Sequence, residues 1–156
     1  MTVRRLMTTD VISIHCDNHL FAAQRLMDWE GIRHLPVVDD GGSLVGLLTE
    51  HSLLLHWSGS EAVDPSGVRI EQKLWKRPVH EVMERAVRVV EPETPAAEAA
   101  RILRDEGIDC LPVVSGHSLA GIITDHDLQQ AACDDRFEDE VVICLQPHPA
   151  RSARSD

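Results

Sequence analysis

An internal repeat constrains the fold of this chain of 156 residues more than any other feature of its sequence. Segments of the first half return in the same order in the second half, first 76 and then 75 residues later. The matching pairs are Met7 with Met83, Gly31-Ile32 with Gly107-Ile108, Leu35-Pro36-Val37-Val38 with Leu111-Pro112-Val113-Val114, Gly46 with Gly121, and Thr49 with Thr124. Because a match of this length and order does not arise from composition, it indicates that one supersecondary unit occurs twice.

Hydrophobic periodicity and turn residues predict the order β-α-β-β-α within each copy, which is an α/β fold of the α+β type. The predicted elements of the first copy are a helical turn at residues 2–7, strands at 11–14, 34–38 and 44–49, and helices at 20–30 and 51–57. Those of the second copy are a turn at residues 79–83, strands at 87–90, 110–114 and 119–124, and helices at 96–106 and 125–132. Gly31 and Gly107 stand where the long helices should stop. Pro36 predicts an edge strand or an irregular pairing.

The repeat divides the chain into four parts. Residues 1–58 form the first repeat and residues 79–133 the second. Residues 59–78 contain turn-forming Gly, Ser and Pro and are a predicted linker, and residues 134–156 follow the second repeat. Further predictions for these two segments are a short helix at Glu71–Trp75, an acidic run at residues 134–140, an extra strand at Val141–Leu145, and a flexible tail.

Composition and charge disfavour several classes of function. The chain carries 15 Lys and Arg against 26 Asp and Glu, a net charge of −11. This balance opposes nucleic-acid binding, which needs a basic surface, and aromatic residues are scarce at 3%. No apolar run approaches the ~20 residues of a membrane-spanning helix. The four cysteines show no Cys-x-x-Cys spacing and no signal peptide precedes them, so we expect a cytoplasmic protein with reduced thiols.

The junction at Thr124 carries the most informative local motif. A short apolar strand ends in Thr124 and turns directly into a helix, with Asp125 and Asp127 in the first turn, where acidic side chains suit the helix dipole. Unpaired backbone N–H groups at a helix start also attract anions. The motif therefore predicts either an anion site or no more than a well-capped helix after a core strand.

The order of these motifs resembles the CBS domain, named for cystathionine β-synthase, and two copies resemble a Bateman module. The resemblance rests on an opening Met, an apolar strand, an Ala-rich helix ending in Gly-Ile, then Leu-Pro-Val-Val and Gly-x-x-Thr-x-x-Asp, over residues 1–132. It implies two α/β subdomains packed with pseudo-twofold symmetry, with two clefts between them. In the family these clefts can hold AMP, ADP, ATP, S-adenosylmethionine or NAD, and the modules usually pair into flat dimers through their helices.

One intact cleft is expected around Asp127. A carboxylate can accept hydrogen bonds from both ribose hydroxyls, and the helix start after Thr124 suits a phosphate. In similar modules each cleft takes its Thr and Asp from one repeat and its first two strands from the other, which adds Arg33 and His34. Arg33 either contacts the phosphate or simply faces solvent after its helix. The predicted ligand-binding residues are Val11, Ile12, Ile32, Arg33, His34, Ile122, Thr124, Asp125, His126 and Asp127.

The mirror cleft departs from this pattern, because Ser52 stands where Asp127 stands in the other. Asp109 matches Arg33, and an acid at a phosphate position opposes binding through like-charge repulsion. This cleft is therefore predicted to be empty, weak or suited to another ligand. Its predicted residues are Thr49, Ser52, Val87, Ile108, Asp109 and Cys110.

Neither a metal site nor a catalytic centre is predicted. The nine histidines show no spacing, matched to cysteines, that suits zinc or copper. Cys16 follows His15, yet no third orienting residue or oxyanion loop accompanies the pair. Cys110 and Cys144 lie in apolar segments, which is typical of inert core thiols. We therefore expect a binding protein that is not an enzyme and requires no cofactor.

The sequence thus predicts a stand-alone regulatory CBS pair that binds an adenosine-containing ligand in one cleft. The short reach of Arg33, His34 and His126 favours AMP, ahead of ATP, ADP, S-adenosylmethionine and NAD. Expected partners are this ligand, a second copy of the chain in a homodimer and a regulated protein, but neither nucleic acid nor a membrane. The alternative is a ligand-free structural dimer that docks a partner protein through Val141–Leu145.

Overall fold

The computed structural model of the chain describes residues 1–57 and 75–133. The elements of these residues are β1 (Ile14–His15), α1 (Leu20–Glu30), β2 (His34–Val38), β3 (Leu44–Thr49), α2 (Glu50–Trp57), α3 (Ala96–Glu106), β4 (Cys110–Ser115), β5 (Ser118–Thr124) and α4 (Asp125–Cys133). Short 3₁₀ turns at Val3–Arg5 and Val79–Glu81 open the two copies, as predicted. The predicted strand at Val141–Leu145, the acidic run and all of the linker helix except Trp75 lie outside the described residues.

Each copy of the repeat contains one small sheet. β2 and β3 form an antiparallel hairpin, β4 and β5 form the matching one, and β1 adds to β2 in parallel. The predicted strands at residues 11–14 and 87–90 are too long. In the first copy pairing starts only at Ile14, and in the second a single bridge joins Val90 to Val113. The residues before these points run along a cleft instead of along a neighbouring strand, so their backbones find no ladder to join.

Pro36 lies buried in β2, which is the central strand of its sheet, so the edge position that Pro36 allowed is wrong. The irregular pairing is correct, because the register shifts between Val37 and Val38. β1 contacts β2 only from Val37 onward. The missing N–H of the proline therefore falls just before the segment where β2 has neighbours on both sides.

The long helices end where the sequence predicts. Gly31 and Gly107 both adopt φ of 64°, and their N–H groups donate to the carbonyls of Met27 and Leu103. A residue with a Cβ is strained at this left-handed conformation, so glycine ends each helix at least cost. The chain turns after each glycine, and the following strand, β2 or β4, begins beside the region between the two repeats.

The two repeats exchange their opening segments. Val3 is fully buried in the core of the second repeat, beside Leu111 and Ile123, whereas Val79 and Met83 are buried in the core of the first. The matching backbone contacts are Val3 N–H to Thr94 O at 2.8 Å, Val79 N–H to Asn18 O at 2.7 Å, the reciprocal pair between Thr8 and Ile122 at 2.9 and 3.0 Å, and that between Glu84 and Leu47 at 2.9 Å. Each core is therefore completed by residues from the opening segment of the other repeat.

Gly46 and Gly121 permit this exchange. A Cβ on Gly121 would lie 2.8 Å from both Met7 Sδ and the Thr8 carbonyl oxygen, and one on Gly46 would lie 2.9 Å from the Glu84 carbonyl oxygen. Real Cβ atoms essentially never approach other atoms that closely. The repeated glycine thus marks the place where the crossing segment lies directly against the hairpin. None of the described helices is long and apolar enough to cross a bilayer.

Candidate functional site

Two clefts lie between the repeats, as expected of the pseudo-twofold arrangement. The first, here called the Asp127 cleft, has a volume of about 760 Å³, and the second, the Thr49 cleft, about 510 Å³. Both volumes fall within the range of sites for small organic ligands. The Asp127 cleft is lined by Thr8, Asp10, Val11, Ile12, Gly31, Ile32, Arg33, His34, Asp109, Ile122, Thr124, Asp125, His126, Asp127 and Gln129. All ten residues predicted for the intact site are among them, and their role in binding stays a prediction.

Thr124 and Asp127 form a reciprocal cap at the start of α4. Oδ2 of Asp127 accepts the Thr124 N–H and the Thr124 hydroxyl, both at 2.8 Å, while the Asp127 N–H donates to Thr124 Oγ1 at 3.2 Å. Within the described part of the chain, Oδ1 of Asp127 accepts no hydrogen bond. One carboxylate oxygen is therefore used to hold the helix start, and the other remains available to a ligand in the cleft.

Four apolar residues, contributed by both repeats, form one wall of the Asp127 cleft. Val11 and Ile12 come from the segment before β1, Ile32 from the turn after α1, and Ile122 from β5. All four are partly buried. Ile122 is fixed in place by its two backbone hydrogen bonds to Thr8 of the exchanged opening segment. Such a wall beside a carboxylate suits a flat apolar ring that carries a polar sugar.

The Asp127 cleft is rich in carboxylates and poor in cations. Four aspartates line it, at positions 10, 109, 125 and 127, whereas its only guanidinium among the described residues is that of Arg33. The Arg33 side chain is 81% exposed, and its Nε lies 4.0 Å from Glu50 Oε2. Burial lowers the pKa of His34, against the opposite effect of the nearby Asp109 carboxylate, so this imidazole is neutral at pH 7.

In the first repeat Ser52 occupies the position of Asp127, so a hydroxyl replaces the carboxylate. Its hydroxyl oxygen accepts the Thr49 N–H at 3.1 Å, its hydroxyl proton is donated to the Thr49 carbonyl at 2.8 Å, and its own N–H donates to Thr49 Oγ1 at 3.0 Å. The helix cap is therefore preserved. No second acceptor oxygen remains, so this position cannot receive two ribose hydroxyls as a carboxylate can.

The Thr49 cleft is lined by Arg33, His34, Leu47, Thr49, Glu50, His51, Leu54, Glu84, Ala86, Val87, Arg88, Glu106, Gly107, Ile108, Asp109 and Cys110. Five of its six predicted residues are present, and Ser52 is absent because its hydroxyl is turned into the cap. Arg88 stands where the other cleft has Ile12, and its guanidinium lies 3.3 Å from Glu106. A charged pair thus replaces part of the apolar wall.

Arg33, His34 and Asp109 each line both clefts, whereas the sequence predicts Arg33 and His34 in one cleft and Asp109 in the other. The pseudo-twofold relation brings the starts of β2 and β4 together, and His34 Nε2 lies 3.9 Å from Asp109 Oδ2. Asp109 therefore does not distinguish the clefts. The difference between them lies in Asp127 against Ser52 and in Ile12 against Arg88.

Four further residues of the Asp127 cleft were missed, namely Thr8, Asp10, Gly31 and Gln129. Thr8 and Asp10 belong to the opening segment, whose Met7 matches Met83 in the repeat. That match is visible in the sequence, but it does not reveal that the segment crosses to the other repeat. Gln129 lies beyond the recognised Thr-x-x-Asp motif, and no sequence signal marked it.

The thiols near these elements are not activated for nucleophilic chemistry. Burial, with a smaller contribution from Asp109, raises the pKa of Cys110 to about 12. Burial and then the Asp17 carboxylate also raise the pKa of Cys16, although His15 lies beside it. Nucleophilic cysteines require the opposite shift. Cys16 and Cys110 thus offer no support for a thiol enzyme.

Comparison with known protein families also finds one unit that occurs twice in the chain. The family model for the CBS domain matches residues 3–59 and again residues 79–134. The chain is 33% identical over 134 residues to an uncharacterized protein of Methanocaldococcus jannaschii, covering 85% of this chain but only 32% of that protein. It is 29% identical over 151 residues to a CBS domain-containing protein of Dictyostelium discoideum, covering 96% of this chain and 97% of the other.

Among solved structures, that of CBSX2 in complex with AMP superposes with a TM-score of 0.72 at 27% identity. The superposition covers 87% of this chain and 98% of that one. The fold of the described residues is therefore shared with a protein whose structure was determined with an adenosine nucleotide bound.

Proposed function

The chain belongs to the CBS-domain family, and we propose from this premise that it is a regulatory domain pair that binds one adenosine-containing ligand in the Asp127 cleft. The observation that carries the proposal is the divided use of the Asp127 carboxylate. Oδ2 holds the start of α4 through two hydrogen bonds of 2.8 Å, which fixes Oδ1 beside an open cavity of about 760 Å³. A carboxylate held rigidly before a ligand binds loses little entropy on binding.

The proposed recognition divides the ligand into three parts. Asp127 accepts the ribose hydroxyls, and the apolar residues Val11, Ile12, Ile32 and Ile122 contact the adenine ring. The 5′ group then lies toward Arg33, His126 and the N-terminus of α4. Selectivity for adenosine over a free base follows, because the ring contacts are non-directional whereas the carboxylate requires two adjacent hydroxyls.

The negative charge of the cleft favours a ligand with few phosphates in its 5′ group. Two like charges 6 Å apart repel by about 3 kcal/mol at an effective dielectric constant of about 20. A triphosphate would bring several negative charges toward four aspartates, with only Arg33 as a full cation in the described lining. We therefore propose AMP ahead of ADP and ATP. S-adenosylmethionine, whose sulfonium is positive, is the strongest competitor on the same grounds.

Regulation would follow from the position of the cleft across both repeats. Residues 8–12 and 31–34 face residues 122–129 over the cavity, so a bound ligand contacts both repeats at once. The ligand then favours whichever relative arrangement of the repeats gives it better contacts. The relay to a regulated protein requires a difference in affinity between two such arrangements. Binding without chemical turnover is the proposed activity.

A homodimer through the helices of the first repeat is part of the proposal. Phe21 and Trp29 on α1 and Leu54 and Leu55 on α2 are large apolar side chains that are more than half exposed. The matching positions of the second repeat carry Ala97, Asp105, Gln129 and Gln130. Large exposed apolar side chains are thus concentrated on the helices of the first repeat, which is the proposed dimer face.

The test is isothermal titration of the purified chain with AMP, ATP, S-adenosylmethionine and NAD, comparing the wild type with Asp127→Ser. Serine is the matched replacement, because Ser52 shows that it preserves the helix cap while removing the second acceptor oxygen. Loss of hydrogen bonds to a charged group, at about 1.5–3 kcal/mol, predicts about 10- to 100-fold weaker AMP binding. The matched control is Ser52→Ala in the other repeat.

Equal AMP affinity in wild type and Asp127→Ser would refute the site. Tighter binding of S-adenosylmethionine than of AMP would retain the site and correct the ligand. If none of the four compounds binds, the interaction dimer becomes the better description. That alternative predicts loss of a partner protein when the chain is truncated after residue 139, a segment outside the described residues.

A further inference from the structure

A second cluster of functional groups lies where the exchanged segment meets the turn after β1. His15, Cys16 and Asp17 are consecutive, and their ligating atoms all lie within 4.8 Å of one another. His80 comes from the opening segment of the second repeat and is fixed by its N–H, which donates to the Cys16 carbonyl at 3.0 Å. None of these four residues lines either cleft, so the cluster is independent of the proposed nucleotide site.

The ligating atoms of His15, Cys16 and Asp17 are close enough together for a single ion, and His80 lies beside Asp17. Cys16 Sγ lies 4.0 Å from His15 Nδ1 and 3.9 Å from Asp17 Oδ1. The other Asp17 oxygen lies 3.9 Å from His15 Nδ1, and Asp17 Oδ1 lies 3.9 Å from His80 Nε2. A tetrahedral zinc ion with bonds of about 2.0–2.3 Å requires ligand atoms roughly 3.3–3.6 Å apart. Closing the separations among His15, Cys16 and Asp17 by a few tenths of an ångström would suffice for these three. The His80 side chain lies outside this group, is 39% exposed, and would have to turn toward it to complete the set.

Asp40 orients the first imidazole for such a role. Its Oδ1 lies 2.6 Å from His15 Nε2, so Nε2 carries the proton and donates it to this carboxylate. Nδ1 then presents a lone pair toward Cys16 and Asp17, where it now accepts the Asp17 N–H at 3.1 Å. A carboxylate behind a histidine is the usual support of a metal-binding imidazole, because it fixes both ring orientation and tautomer.

The internal repeat provides a comparison within the same molecule. The positions that match His15, Cys16, Asp17 and His80 carry Glu91, Pro92, Glu93 and Arg4. There Arg4 donates through Nε to Glu93 at 2.8 Å, and its N–H donates to the Pro92 carbonyl at 2.9 Å. In the second repeat an exposed Arg4–Glu93 ion pair thus takes the place of the cluster. The second repeat therefore builds the same fold without histidines or a thiol at these positions.

We propose that His15, Cys16, Asp17 and His80 bind one zinc ion. Two imidazoles, a thiolate and a carboxylate form a donor set that suits zinc, with cobalt(II) as a spectroscopic substitute. On binding, the sulfur–metal bond forms as the thiol proton leaves to solvent, since a coordinating thiol is deprotonated. The ion would join the turn after β1 to the exchanged segment at His80, and so stabilise the contact between the repeats.

The test is titration of the full chain with cobalt chloride, followed by displacement with zinc chloride. The expected result is one cobalt per chain with a thiolate-to-cobalt charge-transfer absorption, which zinc removes. Cys16→Ser should abolish this absorption. Asp40→Asn should weaken zinc binding by about 10- to 100-fold, as expected when the residue behind a metal-binding histidine is lost.

Two controls separate the cluster from adventitious binding by the other histidines. Glu93→Ala alters the mirror position and should leave the stoichiometry and affinity of the metal unchanged. Circular dichroism and unchanged AMP titration of Cys16→Ser should show that this variant is folded and keeps its nucleotide site. Cobalt binding that persists unaltered in both Cys16→Ser and His80→Ala, or the absence of saturable binding by the wild type, would overturn the proposal.

Discussion

Gly121→Ala is expected to destabilise the chain because Gly121 lies directly under the exchanged opening segment. The added Cβ would meet Met7 Sδ and the Thr8 carbonyl oxygen, each at 2.8 Å. The methionine can turn away, since its side chain is flexible. The carbonyl cannot move without weakening the reciprocal Thr8–Ile122 hydrogen bonds of 2.9 and 3.0 Å. The backbone contact, rather than the methionine contact, therefore decides the outcome.

The magnitude follows from these two contributions. Overpacking in a close contact costs about 1–3 kcal/mol, and weakening a backbone hydrogen bond adds about 1 kcal/mol. We therefore expect Gly121→Ala to lower the free energy of unfolding by about 2–4 kcal/mol. Gly46→Ala, whose Cβ would lie 2.9 Å from the Glu84 carbonyl oxygen, should have a similar effect. Equilibrium urea unfolding monitored by circular dichroism measures both.

Gly41→Ala is the matched control, because its Cβ would lie 3.5 Å from Asp39 Oδ1, an ordinary contact. It should change the free energy of unfolding by less than about 0.5 kcal/mol, as most surface substitutions do. The double variant Met7→Ala/Gly121→Ala should recover only part of the loss, since the Thr8 carbonyl remains. A loss below about 0.5 kcal/mol for Gly121→Ala would refute the reasoning, as would full recovery in the double variant.

Three further outcomes are expected. Asp127→Ala, which removes the cap of α4, should lower the free energy of unfolding by about 1 kcal/mol, whereas Asp127→Ser should lower it by less than half of that, both measured by urea unfolding. Trp29→Glu, at a side chain that is 82% exposed, should convert the proposed dimer to monomer in size-exclusion chromatography with light scattering, whereas Asp105→Ala at the matching position should not. Burial lowers the pKa of His34, so below pH about 6.5 the unfolded chain takes up a proton that the folded chain resists. Stability should therefore fall as the pH drops below that value, level off below the folded pKa, and depend less on pH in His34→Gln.

Local structure could be predicted from the sequence where local chemistry decides it. Gly31 and Gly107 end their helices because the left-handed conformation admits glycine more readily than any other residue, and both boundaries were placed correctly. β2 and β3 also begin and end at the predicted residues. The resemblance to CBS modules implies the rule that pairs Thr124 and Asp127 with residues of the other repeat, and the ten predicted residues do share one cleft.

The remaining features depend on contacts between distant segments, which a linear pattern does not contain. Val11 and Ile12 are apolar and extended, yet they line a cleft instead of joining a sheet, because no strand lies beside them. Arg33 and Asp109 occupy matching positions and were assigned to separate clefts, although both lie where the two clefts meet. His80 was not connected with Cys16, because the sequence does not show that the opening segments are exchanged.

This exchange also sets the order in which the molecule can be assembled. Val3 finds its hydrogen-bond partner at Thr94, and Thr8 at Ile122, so these contacts span most of the described chain. Contacts of such high sequence separation carry a large loop-closure entropy and form slowly. Neither half can complete its core until the other half is present, as Val79 and Met83 are needed by the first and Val3 by the second. The two repeats should therefore fold as one cooperative unit, with a single unfolding transition instead of two, in spite of having originated as copies.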